Sequence, residues 1–402
     1  MASISPFKAF RADPIYVERF SASAADADVR DEEGAPGKEN PYSFLHVLNP
    51  QIFSPKRLSS EEIFSIATQK LKELLKEGII AEEQKPALYI YRQVKNNHVY
   101  TGLICLADIA EYQNNKVKKH ELTHAEKESK ITRYFQEVGT NGNPVLLTYP
   151  DKPAIQLLIQ ELVEAAPEYG FMGEDGIEHA LWAVTDENKI AAVQSAFEEL
   201  DSLYIADGHH RCASLSAMYP KVKHFMACLI PDSQLNIHGF HRYIKDINNL
   251  TTEEFLVALK KKGFEVAELE GVEVVNAPGT IHLFIDSTWY ALTIPQNFKN
   301  NSNPKQNLDV YILDKYIFCD ILGIEETRTS NKIKYVNGEV NTDVLLSPVH
   351  KGFYKAAFTL ASVTVNEIIH VSDFEETMPP KSTWIEPKLR SGLVLHRFES
   401  NL

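Results

Sequence analysis

From Val145 to Ile230 short apolar runs alternate with segments of helical spacing. VLLTYP precedes AIQLLIQELVEAA, LWAVTD precedes the segment from Lys189 to Leu200, LYIA precedes CASLSAMY, and HFMACLI closes the series. Short apolar runs of this kind fit buried strands, and the longer amphipathic segments fit helices. Such alternation predicts an α/β chain of mixed α+β type, because a sheet whose strands are this apolar needs helices to cover it.

The flanking sequence carries sharper local signals. Ser59 and Glu62 form a capping-box pair, and Phe64, Ala67, Leu71, Leu74 and Leu75 follow at helical spacing up to the stop at Gly78. ALYIYRQV and VYTGLICLA flank Lys95-Asn96-Asn97-His98, a hairpin signal. The polar stretch NNKVKKHELTHAEKESK leads into a short amphipathic helix around Tyr134, Phe135 and Val138. A second region opens near Asn248 with another capping box, Thr251 and Glu254, followed by strands IHLFID and WYALTI. Helices are expected at LDVYILDKYIFCDILG, ending at Gly323, and at AAFTLASVTVNEIIHVS, with LVLHRF as a last strand. QNFKNNSNPKQN reads as a surface loop, and Ser21 to Asn40, which is small, polar and acidic, as a mobile one. The expected organisation is an N-terminal segment 1–58 containing the loop 21–40, a core 59–246, a small α/β subdomain 247–303, and a region 304–402 that packs back on the core. The boundaries fall near Asp246 and Asn303.

A chain of 402 residues suits two or three domains, and 44% hydrophobic residues provide for their cores. The formal charge of −14, with no dense Lys/Arg block, argues against a nucleic-acid partner. No apolar run approaches the roughly 18 residues of a membrane span, and MASISPFKAF lacks the basic region followed by a long apolar stretch expected of a secretory leader. Cys105, Cys212, Cys228 and Cys319 form no Cys-x-x-Cys pair, which fits free thiols in a reducing compartment. These features predict a soluble, cytoplasmic protein with no membrane partner.

Four clusters can carry chemistry. Asp207-Gly208-His209-His210-Arg211 lies between a buried strand and a helix start, where backbone N–H groups and the positive dipole end suit an anion. Gly208 permits the turn, Arg211 offers a planar fork for phosphate oxygens, and the histidines donate hydrogen bonds or move protons. The residues leave three roles open for Asp207: a metal ligand, a group orienting a histidine, or a contact to an amino group. His120-Glu121-Leu122-Thr123-His124 spells the zinc-protease signature H-E-x-x-H, but its flanks lack the apolar periodicity of the helix that signature needs. Met378-Pro379-Pro380-Lys381-Ser382-Thr383, with Pro387-Lys388 beyond it, presents a lysine and two hydroxyls in a rigid loop that suits either a phosphate clamp or a structural crossover. His238-Gly239-Phe240-His241-Arg242 lies a short loop beyond the MACLI strand and is a candidate to join the Asp207 cluster. Walker A, G-x-G-x-x-G, G-x-S-x-G and kinase H-R-D motifs are missing from the sequence.

YIADGHHRCASL and MPPKSTWIEPKLRSGLV resemble the two most characteristic stretches of the domain-of-unknown-function 1015 family. SPFKAFRADP, NPYSFLHVLNP and KKHELT resemble it as well, so the likeness spans nearly the whole chain. That family is similar to the SerK-like free-serine kinases of the ParB/sulfiredoxin-like superfamily. The resemblance implies a ParB/sulfiredoxin-like nucleotide-binding core with an additional C-terminal α/β region. It also implies phosphoryl transfer between a nucleotide and L-serine, or the reverse from O-phosphoserine. Glu121, with His120 beside it, matches the family's His-Glu pair and would be the base for the serine hydroxyl. Gly208, His209, His210 and Arg211 would hold the phosphate, with Asp207 at the substrate or metal. Lys381, Ser382, Thr383, His241 and Arg242 would complete the nucleotide and phosphate site. An adenine nucleotide (ADP, AMP or ATP) is the expected co-substrate, with Mg²⁺ accompanying it and metal ligands that the sequence does not identify. The chain departs from the family pattern at Ser21–Asn40, where a Pro-Pro-Tyr-Asp-like segment is usual, and at His124, where an Arg is usual. It departs again near Ser129–Ile131, where an Asp-Arg pair is usual. The alternatives are a non-catalytic nucleotide-binding protein and a zinc hydrolase using His120 and His124.

Overall fold

Helix starts follow the capping chemistry. Ser59, Thr251 and Thr364 each accept a hydrogen bond from the amide three residues on, at Glu62, Glu254 and Glu367, and each glutamate carboxylate accepts one from the cap's own amide. These reciprocal bonds satisfy amides that the helix cannot pair itself. They head the helices Ser60–Lys76, Thr252–Lys262 and Val365–Asp373. In this computed structural model the described residues are 3–23, 40–270, 277–300, 302–338 and 342–398. The expected loop at 21–40 lies outside them except at its two ends.

The fold is mixed α+β, and the chain divides into two compact units. The first comprises Met1–Lys119, Thr123–Leu235 and Pro387–Leu402. Its sheet runs Val117–Lys118, Leu203–Asp207, Val145–Tyr149, His224–Pro231, His98–Asp108, Leu88–Lys95, Glu178–Val184, Tyr169–Met172. Two pairings are parallel, Leu203–Asp207 with Val117–Lys118 and His224–Pro231 with Val145–Tyr149; the others are antiparallel. The Leu88–Lys95 and His98–Asp108 strands form the expected hairpin. Asn96 and Asn97, both at positive φ, make the two-residue turn that matches strand twist. Val145 and Leu147 on one sheet face join Phe135, Ile190, Val193 and Phe197 from the helices Ala125–Val138 and Glu187–Glu198 in one core. All four cysteines are free thiols, three buried and Cys319 partly exposed.

The second unit comprises His120–Leu122 and Asn236–Glu386. Its antiparallel sheet runs Glu265–Leu269, Thr288–Thr293, Thr280–Ile285, Ala356–Thr359, Phe240–Ile244, Ile333–Asn337. Phe240–Ile244 pairs on both sides within this sheet, so the chain changes unit before Asp246, near residue 236. Ala356–Thr359 pairs with Thr280–Ile285, which ties 247–303 to the later residues in one body. AAFT, expected as the start of a helix, is therefore a strand. Ala356, Ala357 and Phe358 are fully buried between two strand neighbours, and this packing overrides a composition that suits a helix. The helix begins only at Val365. The segment expected as one helix up to Gly323 is α-helical over Asp309–Ile312 and π-helical over Leu313–Cys319. Among the described residues no helix is long and apolar enough to cross a membrane.

Candidate functional site

The Asp207 turn is built by a strand irregularity followed by a left-handed glycine. Ile205 pairs with Leu147 and Asp207 with Leu146, so Ala206 is an extra residue and the strand bends at its end. Gly208 follows with φ 106° and heads the helix His209–Ser216 without a side-chain cap. A Cβ on Gly208 would lie 2.9 Å from the Arg211 Nη2. Glycine is needed here for both conformation and space.

Asp207 is clasped by two cations. Arg211 Nη2 donates to its Oδ2 at 2.7 Å, and Lys388 Nζ approaches its Oδ1 at 3.3 Å. Burial would raise the carboxyl pKa, but Lys388 and Arg211 outweigh it and hold the group down to about 2. Arg211 Nη1 is equally engaged: it donates to the backbone carbonyl of Asn143 at 3.0 Å, to Asn143 Oδ1 at 2.7 Å and to the carbonyl of Pro144. The Nη groups expected to hold a phosphate thus brace the turn against the lead-in to the neighbouring strand Val145–Tyr149. Of the three roles open for Asp207, the structure adds a fourth, an anchor for Arg211 and Lys388. Lys388 is the residue that reasoning from sequence undervalued: the Pro-Lys pair was visible, but not its partner 181 positions earlier.

His209 is buried and His210 half-buried in the first turn. The backbone N–H of His124 donates to His210 Nε2 at 3.2 Å, and the two rings lie face to face with centroids 6.0 Å apart. An amide can only donate, so that Nε2 carries a lone pair, and a neutral His210 has its proton on Nδ1. Helix Ala125–Val138 is fastened to the helix that this turn opens: Ser214 Oγ donates to the Glu128 carbonyl and Thr132 Oγ1 to the Ser214 carbonyl. His124 is the residue before that helix, in extended conformation, and 119–124 is irregular. The H-E-x-x-H sequence is therefore not helical and lacks the geometry that sets two histidines on one face for zinc. Among the described residues no three His, Cys, Asp or Glu side chains gather as a metal site.

In the second unit His120–Leu122 is held at both ends. The His120 carbonyl accepts from the Met378 amide at 2.8 Å, and the Leu122 carbonyl from Arg328 Nη1 at 3.2 Å. Glu121 between them is half-buried. Pro379 to Ser382 form a tight turn with Ser382 Oγ donating to the Pro379 carbonyl at 2.7 Å. Lys381 takes φ 54° there, exposed, with Nζ 5.4 Å over the Phe240 ring. Ser382 is buried and Thr383 half-buried.

His241 and Arg242, expected beyond a strand, lie inside the buried strand Phe240–Ile244. Burial, with Arg242 beside it, holds the His241 pKa at about 4. Arg242 is 1% exposed, and its Nη groups donate to the Phe240 and Lys381 carbonyls. All five residues of that strand are buried.

Three solved structures are similar to this chain. Free serine kinase in complex with AMP matches at 17% identity over 72% of this chain and 92% of its own, with a TM-score of 0.37. A variant of free serine kinase in complex with ADP matches at 16% identity with the same shares and a TM-score of 0.38. SbnI with C-terminal truncation, from Staphylococcus aureus, matches at 13% identity over 72% and 87%, with a TM-score of 0.40. No curated protein matches the sequence. The family model described as "Protein of unknown function (DUF1015)" matches residues 4–311, and the chain belongs to that family.

Proposed function

We propose that this protein binds an adenine nucleotide and transfers a phosphoryl group between it and L-serine or O-phosphoserine, on a ParB/sulfiredoxin-like core. The observation that carries the reading is the Asp207–Arg211 turn: a left-handed glycine at a strand end opens a helix that has no side-chain cap. Amides at such a start, together with the dipole, stabilise phosphate oxygens. Arg211, clasped to Asp207 and Asn143, stiffens the turn and adds positive charge beside it. Phosphoryl transfer depends chiefly on such positioning and charge neutralisation.

In the kinase direction the serine oxygen attacks the terminal phosphorus, and the bond from that phosphorus to the nucleotide's bridging oxygen breaks. Glu121 takes the hydroxyl proton. His209 and His210 add polar groups to the turn, and Lys381, Ser382 and Thr383 of the second unit are further candidates for phosphate binding. The donor set does not fit a protein-held Mg²⁺, because both Asp207 oxygens face cations and no three-ligand group is present among the described residues. No step is routed through a metal.

Phosphorus NMR of the full chain with O-phosphoserine and AMP or ADP tests the reading. New nucleoside di- or triphosphate signal, abolished in Glu121→Gln with AMP affinity retained, is expected. No phosphate movement with any adenine nucleotide, in either direction, removes it. One observation favours a binding-only protein instead: both Nη groups of the guanidinium expected to clamp the phosphate already donate within the protein. Nucleotide affinity without product over long incubation selects that second reading.

A further inference from the structure

The geometry points to Arg242 as a positioning residue that acts through Lys381: its guanidinium holds the Lys381 carbonyl and so fixes the lysine in the left-handed conformation that presents its ammonium to a phosphate-bearing ligand. The ligand class rests on the nucleotide reading above; the positioning does not.

Three observations carry it. In the Pro379–Ser382 turn, proline occupies the second position and Lys381 the third with φ 54°, where type II turns call for glycine or asparagine. A lysine held there needs restraint from outside the turn. Arg242 Nη2 supplies it, donating to the Lys381 carbonyl at 3.1 Å from 139 residues away.

The same guanidinium fixes the surface on which the ammonium rests. Its Nη1 donates to the Phe240 carbonyl, and Lys381 Nζ lies over the Phe240 ring. Both the backbone that carries the ammonium and the ring beneath it are thus tied to one rigid planar group.

Arg242 is also a costly way to fill this place. Burial lowers its pKa, and its Nε is buried with no acceptor among the described residues. The counter-charge, Asp314 in the π-helical turn, is half-buried; one oxygen accepts from Thr327 Oγ1 at 3.0 Å and the other is buried with no hydrogen-bond partner among the described residues. Tyr335 lies under the guanidinium at 5.4 Å and donates to the Thr327 carbonyl. For stability alone, apolar side chains fill such a space as well or better. What the arginine adds is two directed donors on two carbonyls.

The test uses the full chain in four forms: wild type, Arg242→Met, Lys381→Gly and the double variant, each titrated with AMP by calorimetry. Each single variant is expected to weaken AMP about tenfold, and the double variant no further, because Arg242 works through Lys381. Independent losses that multiply to about a hundredfold, or an Arg242→Met protein that binds AMP as wild type does, overturn the inference. Amide hydrogen exchange provides a readout that needs no nucleotide. Arg242→Met is expected to speed exchange at 381–384 at least tenfold while the Thr252–Lys262 helix is unchanged, and unchanged exchange at 381–384 overturns the inference. Should wild type bind no AMP, the nucleotide reading fails and exchange alone decides the positioning. If Arg242→Met does not fold, Arg242→Met with Asp314→Leu, which removes both charges, takes its place with the same expectations.

Discussion

Lys388 Nζ lies 3.3 Å from Asp207 Oδ1, so the segment that follows the proline-rich loop is pinned to the turn that opens the His209–Ser216 helix. The same segment continues through Arg390, which donates to Ser21 Oγ at 2.8 Å, and Gly392, whose amide donates to the Gly142 carbonyl at 2.7 Å. Residues from the first, middle and last parts of the chain are thereby joined along the segment 388–392 of the first unit.

Asp207→Asn should weaken this clasp and destabilise the first unit by about 1 kcal/mol, the scale for a half-exposed ion pair. The carboxyl is depressed to about 2 in the fold, so its stabilisation is complete above roughly pH 4 and is lost as pH falls toward 2. Carbon-13 titration of the Asp207 carboxyl should show that depressed value, and Lys388→Met should raise it. A titration near the ordinary value in wild type would contradict the clasp.

Gly208→Ala should cost about 1–2 kcal/mol in chemical denaturation, combining a positive φ with a Cβ 2.9 Å from Arg211 Nη2. The same substitution at Gly176, also at positive φ but with nothing within 4 Å, should cost only the conformational part. Equal losses at the two sites would mean that the Arg211 contact is immaterial.

Gly102→Ala tests packing of the central sheet. Its Cβ would fall 2.5 Å from Cys228 Sγ and 2.7 Å from Ile230 Cγ1, both buried. Overpacking of this kind costs about 1–3 kcal/mol. A melting temperature equal to wild type would show that the neighbouring strand yields without strain.

His179 should make stability fall in mild acid. Burial, then Arg390, lowers its pKa to about 4, and Tyr91 Oη lies 2.8 Å from Nδ1. The unfolded chain takes up a proton near pH 6.5, which the folded chain refuses until about pH 4. Stability is therefore full above pH 6.5 and declines by roughly 1–3 kcal/mol as pH falls through that window. His241 and His396, both lowered to about 4 chiefly by burial, act in the same direction. Urea midpoints from pH 7 to pH 4 should slope downward, and His179→Phe should flatten part of that slope.

Short-range chemistry is legible in the order of the residues. The capping pairs at Ser59 and Thr251, the Asn96-Asn97 hairpin, the strands at 145–149 and 203–207 and the glycine turn at 208 each depend on groups a few residues apart. Tertiary structure alone decided the rest. Ala356–Thr359 became a strand because two neighbours buried it, Arg242 became an internal strut because five residues of its strand lost water, and Lys388 reached Asp207 across 181 positions. Propensity and pattern act over a turn or a strand, whereas burial and charge pairing depend on which distant segments fold against each other, and no local window contains that information.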